Sequence, residues 1–86
     1  MSLEDYREEI DRINQEIADS IAERMEVVDK IGEYKRKNGM EMKDEGREEA
    51  VKQQFASIFD ERNLPPERGR EFAEKLIQMA LDRERQ

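Results

Sequence analysis

Two cations lie on what should be the inner face of a long helix. Leu3, Tyr6, Ile10, Ile13, Ile17, Ile21, Val28 and Ile31 recur every three or four residues, the spacing of a helix face removed from water. The same stripe runs through Arg24 and Lys35, which project within about 20° of one another on one side of the helix. Taking an unpaired cation out of water is costly, so two on one stripe predict that something anionic meets them. Taken singly, each has a plainer explanation, because long basic side chains bury their stems and let the charged head reach solvent.

What the chain lacks narrows the chemistry. It has no cysteine and no histidine, which removes thiolate nucleophiles, disulfides, the commonest metal ligand and the side chain best matched to proton transfer near neutrality. No metal site and no cofactor are expected. Charged residues make up 45% of the chain and the net charge is −7, which argues against a nucleic-acid partner. An anionic ligand must therefore be drawn by a local cluster of cations against the overall field. Neither an apolar run long enough for a membrane nor the pattern of a cleaved leader is present, so a soluble cytoplasmic protein is the expectation.

Positioning these residues requires helices. The 86 residues suit one domain, 1–86, with a core thin enough that oligomerisation is a common remedy. The chain reads as all-α, with one long helix and two shorter ones. The first helix runs from about Leu3 to Lys37 and is stopped by Asn38-Gly39. Met40 to Lys43 forms a connection, and Asp44 caps a second helix reaching about Arg62. Asn63-Leu64-Pro65-Pro66 ends that helix and starts the third, which continues to the end of the chain with Phe72, Ala73, Leu76, Ile77, Ala80 and Leu81 inward. Ala73, Ile77, Ala80 and Glu84 share one face, which turns Glu84 inward and Gln86 away.

The first helix should span roughly 50 Å and the others about 30 Å each, so a single chain cannot cover the whole apolar stripe. An intertwined homodimer, in which two long helices pack together through Tyr6, Ile10, Ile13 and Ile17, resolves the mismatch. Arg7 faces about 100° away from Arg24 on the helix and could serve only the partner's pocket.

The ordered set Arg7-Glu8-Glu9-Ile10-Asp11, Ile21-Ala22-Glu23-Arg24, Ile31-Gly32-Glu33-Tyr34-Lys35 and Asp44-Glu45-Gly46-Arg47-Glu48 resembles the all-helical chorismate mutase family over nearly the whole chain. The resemblance implies an intertwined dimer of three-helix chains that converts chorismate to prephenate in aromatic amino-acid biosynthesis. It also implies roles. Arg24 and the other chain's Arg7 would bind the two substrate carboxylates, Lys35 the ether oxygen and a carboxylate. Glu48 and the backbone of Asp44 would hold the ring hydroxyl, and Arg47 would support the carboxylate end. Ile31, Ile77 and Leu81 would wall the ring. Ala80 and Glu84 fall where the family often carries a small hydroxyl residue and a glutamine or glutamate; Ala80 cannot donate a hydrogen bond, and Glu84 donates only when protonated.

A one-step pericyclic rearrangement needs no nucleophile, base or metal, in keeping with the missing residue types. It needs a flexible dianion held with its reacting ends together, and stabilisation of charge growing on the ether oxygen. Two alternatives stay open at this level: a lyase on the same fold that removes pyruvate from isochorismate, and a non-catalytic helical dimerisation module.

Overall fold

The first helix starts on a reciprocal cap. In the computed structural model, which describes residues 1–85, the Ser2 hydroxyl accepts from the Asp5 N–H at 3.2 Å and the Asp5 carboxylate accepts from the Ser2 N–H at 2.9 Å. Both donors would otherwise be orphans of the helix start. Helix α1, Leu3–Lys37, then runs unbroken. It ends at Asn38, whose side-chain amide donates to the Tyr34 carbonyl at 2.8 Å, and the chain turns away through Gly39 at φ 63°. That left-handed conformation is the one glycine adopts without steric cost.

Helix α2, Glu45–Glu61, is capped by Asp44, whose carboxylate accepts from the Arg47 N–H at 3.0 Å. A turn through Asn63 at φ 59° leads to α3, Pro66–Glu84, with proline in its first turn. The three spans follow the expected ones closely, except that α3 closes at Glu84. Gln86, expected to turn away from the interior, lies outside the described residues. No described helix is long and apolar enough to cross a membrane.

Helices α2 and α3 form a tight pair. A Cβ on Gly69 would overlap the Phe55 carbonyl, so the two backbones cross closer than any other residue would allow. Phe72 stacks beside this crossing, its ring centroid 5.6 Å from that of Phe55 and 6.3 Å from that of Phe59. Helix α1 approaches α3 alone; no Cα of α1 lies within 8 Å of one of α2. The buried apolar side chains are Met25 and Val28 of α1, Val51 of α2, and Ala73 and Leu76 of α3.

The remainder of α1 extends past this core. The molecule measures 56 × 24 × 16 Å with a radius of gyration of 16.0 Å, against about 12 Å for a compact domain of this length. Tyr6, Ile10, Ile13 and Ile17, expected to be removed from water, are 52, 56, 39 and 48% exposed within one chain. The reason is length: the shorter helices reach along only part of α1.

Candidate functional site

Because α1 and α2 stand apart with α3 joining them, a cavity of about 150 Å³ opens between the three helices. From α1 it receives Arg24, Val28, Ile31 and Lys35, one residue per turn of the stripe read from the sequence. The first turns of α2 contribute Arg47, Glu48 and Val51, with Asp44 at the cap. The last turns of α3 supply Ile77, Ala80, Leu81 and Glu84, and the connection adds Met42. Every residue singled out from the sequence therefore lines one cavity, with the exception of Arg7.

Arg7 lies elsewhere. It sits on the exposed amino-terminal part of α1, 3.8 Å from the Glu4 carboxylate, and roughly 25 Å of helix separates it from Arg24. Within one chain it contributes nothing to the cavity.

The electrostatics of the cavity are unbalanced. Arg24 Nη1 is buried and has no hydrogen-bond partner. Burial pushes the Arg24 guanidinium below its ordinary pKa, and the positive charge of Arg47 adds a smaller push in the same direction, because both disfavour the cation. Glu84 Oε2 is likewise buried and unpartnered. A buried polar atom left without a partner is uncommon in a folded protein and marks a place where something else binds.

The other polar residues are held by the connection and the α2 cap. Lys35 Nζ donates to the Met42 carbonyl at 2.7 Å. Lys43 Nζ lies 3.3 Å from each carboxylate oxygen of Glu48. The Asp44 side chain is occupied by the Arg47 N–H, which leaves the Asp44 backbone as its means of contacting a ligand. Ile31, Ile77, Leu81 and the methyl of Ala80 supply apolar walls. An arrangement of three cations, three carboxylates, one of them engaged as the α2 cap, and apolar walls suits a small, partly apolar molecule that carries negative charge and a hydroxyl.

Val28, Met42 and Val51 line the cavity without having been singled out as site residues. Val28 belongs to the α1 stripe and Val51 follows Glu48 by one helical turn, so periodicity carried both signals. Met42 reaches the cavity through the path of an irregular connection, which no periodicity encodes.

A second, apolar groove of about 350 Å³ adjoins the first. It runs between Ile13, Ile17 and Ile21 of α1 and Phe55, Phe72 and Leu76 of the α2–α3 pair, and Arg24 lies on the boundary between the two spaces.

Residues 6–85 match the sequence model of a family described as chorismate mutase type II. No curated protein and no solved structure matches the chain at a significant level.

Proposed function

The chain belongs to the chorismate mutase type II family, and from that premise we propose that it converts chorismate to prephenate, as a homodimer with two shared sites. The observation that carries this reading is the half-buried Arg24 guanidinium, whose Nη1 is buried without a partner on the same cavity as Lys35 and Arg47. A dianion with an apolar ring and one hydroxyl satisfies all three cations and uses the apolar walls.

In this reading Arg24 binds one substrate carboxylate with its free N–H groups, a charge-assisted contact made stronger by its desolvated setting. Arg47 adds positive potential to the same end. Lys35 releases the Met42 carbonyl and turns its ammonium to the ether oxygen, where negative charge grows as the carbon–oxygen bond breaks. Glu84 in its acid form donates to that oxygen from the α3 side. Glu48 accepts from the ring hydroxyl, and the Asp44 backbone N–H donates to it. No proton changes hands in the rearrangement; the site works by holding the reacting carbons together and by meeting the developing charge. An acceleration of about a millionfold corresponds to roughly 8 kcal/mol of barrier, shared between these two effects.

The dimer supplies what one chain leaves out. The amino-terminal part of α1 exposes a stripe of isoleucines, and an open apolar groove ends at Arg24. A partner α1 laid in that groove covers both surfaces and brings Arg7 of the partner protomer toward the cavity, where it binds the second carboxylate. Chorismate is the substrate that tests the reading. Incubation should consume chorismate and yield prephenate, whereas pyruvate released from isochorismate with chorismate untouched would assign the lyase reaction, and inertness toward both would leave a dimerisation module.

A further inference from the structure

Glu84 is the last residue of α3, and terminal helical turns fray unless something ties them down. The tie in this chain is one residue away. Arg83 Nε donates to Asp29 Oδ1 and Arg83 Nη2 to Asp29 Oδ2, each at 2.9 Å, the two-pronged geometry that fixes direction as well as distance. Among the ion pairs of the described residues, this one alone joins α1 to another helix. Asp29 adjoins Val28 on the cavity wall, and one turn further on Gly32 is buried beneath the stem of Glu84. A Cβ at Gly32 would stand 3.4 Å from Arg36 Nη1 and 3.5 Å from Glu84 Cγ, so the Glu84 stem shares this space with the Arg36 guanidinium. The stem of Glu84 is thus laid over α1 at Gly32, one residue from the Asp29–Arg83 pair.

Resting on the reading of the cavity as the active site, we propose that the Asp29–Arg83 ion pair is a positioning device, which winds the end of α3 against α1 so that Glu84 meets the reacting ether oxygen. Both partners are about half exposed, with side-chain exposures of 46 and 49%. Pairs so exposed contribute little to global stability. The effect should therefore appear in turnover and in local order, while the melting temperature barely moves.

The test compares Asp29→Asn and Arg83→Gln with Arg70→Gln, which breaks the Arg70–Glu49 pair between α2 and α3. Asp29→Asn also separates the pair from any direct attraction of Arg83 for the carboxyl end of α3. Both clamp variants should lower kcat about tenfold with KM little changed, as expected of a displaced transition-state contact, and Arg70→Gln should leave kcat alone. In a Glu84→Ala background, Asp29→Asn should cost nothing further, because the pair acts through Glu84. Equal kcat losses from the clamp variants and the control, or full additivity with Glu84→Ala, would overturn the proposal. Amide exchange over residues 81–84 supplies a readout independent of activity: faster exchange in Asp29→Asn supports the clamp, and unchanged exchange overturns it. Should the wild-type protein leave chorismate untouched, the functional reading fails on its own, and the exchange result still decides whether the pair orders the end of α3.

Discussion

Val28 and Ile17 lie on one stripe of one helix, yet Val28 is 6% exposed and Ile17 48%. The carboxyl-terminal part of α1 is packed beside α3 and around the cavity, whereas the amino-terminal part relies on local devices. These are the Ser2–Asp5 cap, the Arg7–Glu4 pair at 3.8 Å and the Arg12–Glu16 pair at 2.6 Å. Periodicity identifies the face of a helix that leaves water and says nothing about what covers it. The lengths of the elements supply that second piece: two helices of 17 and 19 residues cannot span one of 35. In the proposed dimer both parts of α1 are core, one within the chain and one across the two-fold.

The largest effect should come from placing charge in the uncovered part. Ile13→Asp puts an unpaired carboxylate in the groove where the partner helix is expected, so the wild-type protein should sediment as a dimer and the variant as a monomer with less helix. Turnover should fall at least a hundredfold, because a monomeric site lacks Arg7. A wild-type chain that is monomeric at working concentration and fully active would break the comparison at its root.

Next comes the exchange of arginines between the two parts of α1. Arg7→Ala and Arg24→Ala should each be nearly inactive, and mixing the two after subunit exchange should restore roughly a quarter of wild-type activity, since random pairing leaves one intact site in half of the dimers. No recovery after confirmed exchange would place Arg7 outside the site. Arg24 also makes a stability prediction. Its guanidinium is partly desolvated, its Nη1 has no partner and Arg47 adds repulsion, so Arg24→Met should abolish activity yet raise the melting temperature by about a few degrees. Lys35→Met should lose turnover without that gain, because Lys35 already bonds to the Met42 carbonyl. Separate melts of the two variants check the contrast.

The sequence was most legible where a periodicity and an end signal coincided. The three helices and both connections follow from the apolar stripe, from Asn38-Gly39 and from Asn63 to Pro66. The convergence of Arg24, Lys35 and Glu84 on one cavity was prefigured by polar residues continuing apolar faces, a local conflict that points to a binding site, whereas Glu48 was singled out by the family resemblance alone. Less legible was anything set by the distance between backbones. The near-contact at Gly69, the burial of Gly32 beneath Glu84 and the Asp29–Arg83 pair depend on how two helices cross, and residues 54 positions apart have no local pattern to announce them. Lys43 on Glu48 escaped for a similar reason, since an irregular connection determines where that ammonium lands.

A smaller effect is expected at Glu84. Its buried Oε2 has no partner, and only the acid form can donate to an ether oxygen, whereas glutamine donates at every pH. Glu84→Gln should keep turnover within a few-fold of wild type, because the amide offers a donor from the same place. Glu84→Ala should lose the contact altogether. Turnover in Glu84→Ala equal to that of Glu84→Gln would remove Glu84 from the reacting oxygen.

The smallest effect returns to the part of α1 that a single chain leaves uncovered. Hydrogen bonds from the Ser2 backbone N–H and then from its side chain hold the Asp5 carboxyl below its ordinary value. A depressed carboxyl stabilises the fold fully above the unfolded-state value, near about 4, and loses that contribution as pH falls through the lower folded-state value. Asp5→Asn keeps an acceptor for the cap without a titrating proton, so the wild-type advantage over this variant should be constant above about pH 5 and shrink as pH falls below about 4. In the dimer the difference should be slight, roughly a degree in melting temperature, because a partner helix supports the same turns. In Ile13→Asp, where that support is gone, the same cap carries a larger share of the helix, and the pH-dependent loss of helicity attributable to Asp5 should grow. Equal effects in the two backgrounds would mean that the amino-terminal part of α1 is held in the same way with and without a partner.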